Sequence, residues 1–269
     1  LWLRCWALMP AIPLHHRELL GNLVRREIRG RYKGSVLGVV WTLVTPLVMM
    51  GAYTLVFRVV FRTGPEIPNY PLFLLTGLAL WVFFSTSLVV AASSLLANGN
   101  LIKKVRFPRL IVPVAAVAAQ APTVGVMLAA LIPFNLWVTP GDRRAMLLLP
   151  LVLLALAMMV LGLCFAVAVV NVLFRDLQYI IESLLLPWFF LTPILYTYTS
   201  FPIKSPRAID ALKILNFATP YVLAMQDVLY WGRYPSIGMF AYIFAVGAVF
   251  LAGGYWLFQR LQRDLAVEL

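Results

Sequence analysis

Charge is what this sequence has least of. Of its 269 residues, 12% are Asp, Glu, Lys or Arg, about half the share in an ordinary soluble domain. Six stretches carry none. There are 24 uncharged residues between Lys33 and Arg58, 36 between Glu66 and Lys103, and 32 between Arg109 and Asp142. A further 30 lie between Arg144 and Arg175, 21 between Glu182 and Lys204, and 26 between Arg233 and Arg260. Each run is apolar and long enough to cross a hydrocarbon layer of about 30 Å as a helix of about 20 residues. In lipid only a helix or a closed barrel satisfies its own backbone, and continuous runs rather than short alternating ones select the helix. The segments between the runs are too short to supply polar surface for a soluble core. The expected fold is all-α and integral to a membrane: one domain over residues 1–269 with six transmembrane helices.

The chemistry that is missing narrows the function. No G-x-x-x-x-G-K-[ST] phosphate loop occurs and no lysine follows a glycine, so the chain lacks the usual nucleotide cradle and is not expected to be an enzyme by itself. H-E-x-x-H and G-x-S-x-G are absent as well. The two cysteines, Cys5 and Cys164, fall on the expected cytoplasmic side and inside a span, so no disulfide is expected, and nothing has metal-ligand spacing. His15 and His16 stand together in a basic segment without further ligands. An alternative from another class, a membrane-embedded lipid-linked glycosyltransferase, needs acids grouped at a membrane face. Its candidates Glu66, Asp142, Asp176, Glu182, Asp210 and Asp227 include no two within three residues of each other. Because the six runs contain no ionisable residue, a proton- or sodium-driven carrier is disfavoured. Residues 1–13 lack a cleavage signature and are not read as a signal peptide. Neither an internal repeat nor a nucleic-acid partner is indicated.

What is present is basic, with a net charge of +12. If both termini are cytoplasmic, segments 1–35, 98–109, 171–182 and 260–269 hold 14 Lys/Arg and the outer loops hold eight, the orientation that the positive-inside rule favours. The outer cations are Arg58, Arg62, Arg143, Arg144, Lys204, Arg207, Lys213 and Arg233. They suit either membrane lipid head groups or a polyanionic cargo.

Residues 14–33 are expected to form an amphipathic helix. Leu19, Leu20, Leu23, Val24 and Ile28 recur at helical spacing, and Arg25, Arg26, Glu27, Arg29, Arg31, Tyr32 and Lys33 belong to its basic remainder. Such a helix is expected in the inner head-group layer, as an anchor or as a lever on a cytoplasmic partner. The spans are placed at Ser35–Phe57 (with Trp41 and Pro46), Leu72–Leu95, Leu110–Trp137, Met146–Val172, Ile180–Tyr198 and Ser236–Phe258. Span five is the shortest and is interrupted by Pro187 and Pro193, which points to a translocation path. Trp188, Phe189, Phe190, Tyr196 and Tyr198, with Trp41 of span one, are candidates to line it; an interfacial aromatic belt is the other reading.

Two cytoplasmic connections stand out. The loop Asn100, Leu101, Ile102, Lys103, Lys104, Val105, Arg106, Phe107, Pro108 mixes cations with four apolar side chains, which suits either membrane contact or docking into a groove on another protein. The turn Asn171–Tyr179 carries Arg175 and Asp176, and Glu182 follows at the cytoplasmic mouth of span five. On the outer side the 13 uncharged residues Ile214–Gln226 fit a re-entrant segment rather than a crossing.

Four blocks, RREIRGRYKGSVLGVVWTLVTPL (Arg25–Leu47), NLIKKVRFPRLIVPV (Asn100–Val114), FRDLQYIIESLLLPWFFLTPILY (Phe174–Tyr196) and NFATPYVLAMQDVLYWG (Asn216–Gly232), occur in an order that resembles ABC-2 type permeases of polysaccharide and teichoic acid exporters. The resemblance implies a homodimer with a central channel in the bacterial plasma membrane. Each subunit would be docked on a separate ATP-binding subunit, in two copies, that holds ATP and Mg. It also implies a cargo polymer attached to undecaprenyl diphosphate. Asn100–Pro108 would be the coupling helix, Leu14–Lys33 the interfacial helix and Ile203–Tyr230 the outer gate region. The surplus of outer cations favours wall teichoic acid as cargo, with O-antigen or capsular polysaccharide as the alternative.

Overall fold

The computed structural model describes residues 14–35, 38–60, 67–105, 107–138, 141–197 and 215–262, and every regular element among them is helical. Four helical stretches are long and apolar enough to cross a membrane: Tyr70–Ala97, Ile111–Trp137, Arg143–Leu173 and Ile237–Leu261. Two of the six expected spans are shorter, Trp41–Phe57 and Leu177–Leu191. The protein is an all-α integral membrane protein whose spans are unequal.

Helix α1 (Leu14–Tyr32) ends before Gly34, whose φ of +81° lies where an L side chain is strained. Gly38, at φ +47°, delays the next helix. Span one therefore starts as a short 3-10 turn, Gly38–Val40, and becomes α2 at Trp41–Thr54, not at Ser35. Pro46 is accommodated inside α2, and the span closes in a π-helical turn at Leu55–Val60.

Helix α3 (Tyr70–Ala97) is the spine. It starts after left-handed Asn69, with Pro71 in its first turn, where a missing N–H costs nothing. Phe73, Leu74, Leu78, Phe84, Ala91 and Leu95 along it are essentially inaccessible. After it come the short helix α4 (Gly99–Lys104) and a span in two pieces, α5 (Ile111–Ala118) and α6 (Ala121–Val138). The break at Ala119–Gln120 precedes Pro122, which can neither donate to the helix nor let its predecessor settle easily in it.

Helix α7 (Leu149–Leu173) is entered through a 3-10 turn, Arg143–Leu148, capped by Asp142, whose carboxylate accepts from the Arg144 backbone N–H over 2.9 Å. Helix α8 (Leu177–Leu191) runs straight through Pro187 and stops at Thr192, before Pro193. Of the two prolines expected to interrupt span five, only Pro193 does so. Its 15 residues reach about 22 Å at 1.5 Å per residue. The re-entrant segment is helix α9 (Thr219–Gln226), buried on all but one residue, followed by a π-helical turn Asp227–Trp231 that ends at left-handed Gly232. Helix α10 (Ile237–Leu261) closes the fold against α7. Their backbones meet at Gly162 and Gly254: a Cβ on either would collide with the other helix's backbone.

Candidate functional site

The basic end of the fold, expected to face the cytoplasm, is built around α1. Its apolar stripe packs on protein: Leu20 and Leu23 lie against Ile111 and Ala115 of α5, with Val24, Leu101, Phe107 and Val114 around them. The apolar stripe read at helical spacing is therefore covered, at Leu20 and Leu23, by α5 of the same chain. Outward remain Arg25, Arg26, Arg29, Arg31 and Lys33, while Glu27 is half-buried. Tyr32 ends the helix, and its side chain lies outside the described residues. Arg26 donates to the Asn98 side chain just before α4, and Arg31 to Gln120 at the break in span three.

The basic loop divides into two kinds of residue. Leu101 and Phe107 pack under α1, Ile102 and Phe107 against the cluster of Leu95, Val112 and Phe258, so these apolar side chains anchor the loop to its own chain. Asn100, Lys103, Lys104, Val105 and Pro108 are left exposed, a cationic strip with one apolar member. Arg106 lies outside the described residues.

The turn between α7 and α8 is only Phe174–Asp176, with Arg175 and Asp176 exposed, shorter than the Asn171–Tyr179 expected. The reason is Asn171, whose role was not legible in the sequence. Buried, it donates to the Ala92 carbonyl over 2.9 Å and accepts from the Gln178 N–H over 2.9 Å, tying α7, α8 and α3 together. Nothing but its place in a run of apolar residues could have flagged it.

Between α2, α3 and α8 runs a groove of about 590 Å³. Arg31 and Glu182 stand at the mouth nearest α1, Ser85 and Thr86 line its side, and Tyr53, Trp81 and Phe189 form its far wall. Tyr53 stacks on Phe189 with ring centroids 5.4 Å apart, and Trp81 lies 5.6 Å from the same ring. A second cavity of about 450 Å³ shares Arg31, Met49, Trp81, Ser85 and Thr86 with the first. It adds Trp41, Thr42, Thr45 and Thr123. The lining joins hydroxyls and aromatic faces, with both signs of charge at the mouth.

The aromatic candidates separate. Phe189 is 4% exposed and reaches the groove as wall, and Trp41, 49% exposed, lines the second cavity. Trp188 is packed edge-on against Phe84 and Phe217 at 5.2 and 4.8 Å. In the chain as described it does not line the groove, and its indole N–H is bonded to Asn216. Phe190 is exposed, and the Tyr196 hydroxyl reaches back to the carbonyls of Phe190 and Leu191. Tyr198, and residues 203–214 of the expected outer gate, lie outside the described residues, as do residues 1–13. Among the described residues no group of three His, Cys, Asp or Glu side chains could hold a metal.

The chain is thus a many-pass helical membrane protein with unequal spans, a basic helix at one end and a grooved flank. Residues 18–230 match the ABC-2 type transporter family, and the chain belongs to it. Members of that family are transmembrane subunits that work with an ATP-binding subunit. Among its relatives, the O-antigen export system permease protein RfbA of Myxococcus xanthus is 34% identical over 254 residues, spanning 94% of this chain and 96% of that one. A protein of the same name from Klebsiella pneumoniae is 31% identical over 257 residues, spanning 93% and 94%.

Proposed function

We propose that this chain is the membrane permease of an ATP-driven exporter that moves lipid-linked O-antigen polysaccharide across the bacterial plasma membrane. The observation that carries the reading is the groove between α2, α3 and α8, in a chain whose relatives bear the name O-antigen export permease. Its hydroxyls can hydrogen-bond sugar, its aromatic faces can stack on pyranose rings, and Arg31 at the mouth can meet the diphosphate of an undecaprenyl carrier. Two copies would face each other to complete the channel, with both termini cytoplasmic as the Lys/Arg distribution favours. ATP and Mg would sit in two partner subunits, each seated on the cationic strip of α4. Wall teichoic acid, suggested by the outer cations, is the weaker reading, because the relatives' names point to O-antigen.

The test is reconstitution in proteoliposomes with the cognate ATP-binding subunit. Lipid-linked O-antigen should cross only when permease, partner and ATP are all present. Transfer of a polyol-phosphate polymer in preference to a neutral polysaccharide would return the cargo to teichoic acid. Glycosyl transfer by the purified chain would overturn the transport reading altogether.

A further inference from the structure

The groove between α2, α3 and α8 is richer in acceptors than its composition suggests. Ser85 and Thr86 on its side each carry one hydroxyl proton, and each spends it on its own helix. Ser85 Oγ donates to the Trp81 carbonyl over 2.8 Å, and Thr86 Oγ1 to the Val82 carbonyl over 2.5 Å. What these hydroxyls keep for a guest is lone pairs. The Tyr53 hydroxyl and the Trp81 indole N–H in the far wall are the neutral groups able to donate.

Two charges complete the lining, Arg31 and Glu182. Their bonds go elsewhere than to each other. Arg31 gives Nη1 to Gln120 over 2.7 Å, and Glu182 Oε1 accepts from Gln178 Nε2, one turn earlier on α8, over 3.0 Å. Leu185, Leu186 and Phe189 follow Glu182 on the same face of α8 and line the groove with it. The carboxylate is exposed, and among the described residues its second oxygen has no hydrogen-bond donor. An ionised carboxylate can only accept, so it suits a guest that brings hydroxyl protons, in charge-assisted bonds. A phosphodiester brings none, and its charge is of the same sign.

We propose that Glu182 is a specificity-determining residue of the groove: it accepts from the hydroxyls of uncharged glycan repeats and disfavours polymers that carry a phosphodiester in every repeat. This rests on the reading of the groove as the transport path. The carrier's diphosphate passes once and meets Arg31. A polyol-phosphate chain would bring a negative charge past Glu182 at each repeat, and with one cation against one anion the lining has no net positive charge to draw it in.

The experiment uses the permease with its ATP-binding partner in proteoliposomes. Two probes on the same undecaprenyl diphosphate carrier are compared, a neutral polysaccharide and a polyol-phosphate polymer of similar length. Glu182→Gln keeps the size of the side chain and an oxygen for Gln178. It should lower neutral export roughly two- to threefold, a charge-assisted bond being exchanged for a neutral one. The same change should raise polyol-phosphate export by about tenfold or more, the scale of like charges a few ångströms apart near a protein surface. A folding defect would lower both. Glu182→Asp keeps the charge and should keep the wild-type preference. Should Glu182→Gln not assemble, the wild type itself supplies the test: raising the ionic strength screens exposed charges and should narrow its preference. An unchanged export ratio in Glu182→Gln, or a wild-type preference indifferent to salt, overturns the role of Glu182. Ser85→Trp, which fills the groove, should stop both polymers. Wild-type export in that variant instead overturns the groove as the path, and a wild-type complex that moves neither polymer on ATP overturns the transport reading.

Discussion

Arg31, near the end of α1, donates from Nη1 to Gln120 Oε1 over 2.7 Å across 89 positions of sequence. Gln120 is fully buried where span three is broken between α5 and α6. The bond fastens the basic helix to a discontinuity in a span. It also sets the guanidinium at the mouth of both cavities beside α2.

The two ends of this bond should respond differently to removal. Arg31→Ala leaves the Gln120 oxygen buried without its donor, a penalty of about 1–3 kcal/mol. Gln120→Leu replaces a buried polar group by an apolar one and releases an exposed cation to water, which is close to neutral. Thermal melting in detergent should show a clear drop for Arg31→Ala and a small one for Gln120→Leu. Equal drops would mean that the bond does not govern this joint.

The crossing of α7 and α10 depends on two glycines. Since a Cβ on Gly162 would enter the Phe250 backbone and one on Gly254 would enter that of Gly162, neither helix can yield by moving a side chain. Gly162→Val or Gly254→Val should cost about 1–3 kcal/mol or more through overpacking. The expected readout is a lowered melting temperature with α10 newly open to labelling. Gly253, with open space where its Cβ would go, is the control.

Charge reversal on α4 separates docking from folding. Lys103 and Lys104 are exposed, whereas Leu101 and Phe107 pack under α1. Lys103→Glu with Lys104→Glu should leave melting unchanged while abolishing copurification with the ATP-binding subunit or its stimulated hydrolysis. Wild-type coupling in that variant would remove α4 from the interface.

At the opposite end from α1 the Tyr234 hydroxyl donates to Asp142 Oδ2 over 2.7 Å, joining the loop before α7 to the one before α10. The Arg144 backbone N–H and then the Tyr234 hydroxyl hold the Asp142 carboxyl below its ordinary value of 3.8. A lowered carboxylate contributes its stabilisation above the unfolded value and loses it as pH falls through the folded one. Protection of the Arg144 amide, taken relative to its intrinsic exchange rate at each pH, should therefore hold from pH 7 to pH 4 and fall only below 3.8. In Asp142→Asn that acid-dependent step should disappear.

The chain itself determined that a bilayer is its solvent, which faces are basic, and that span five and the Ile214–Gln226 stretch are irregular. These follow from composition and run length, since lipid admits only long apolar helices and leaves charges at their ends. Gly162 is one glycine in the apolar run of span four; only the crossing partner shows it as a point of closest approach. The apolar stripe of α1 was plain at helical spacing, yet periodicity cannot tell protein from lipid as its cover. Asn171, Asn216 and Gln120 were silent, because an amide is informative only through what it bonds, and its partners lie tens of residues away. Tertiary structure alone decided that Pro187 stays inside a helix while Pro193 follows the end of one: the carbonyls past that end are taken by the Tyr70 hydroxyl of α3 and the Gln226 amide of α9, and Asn216 before α9 bonds the Thr192 hydroxyl.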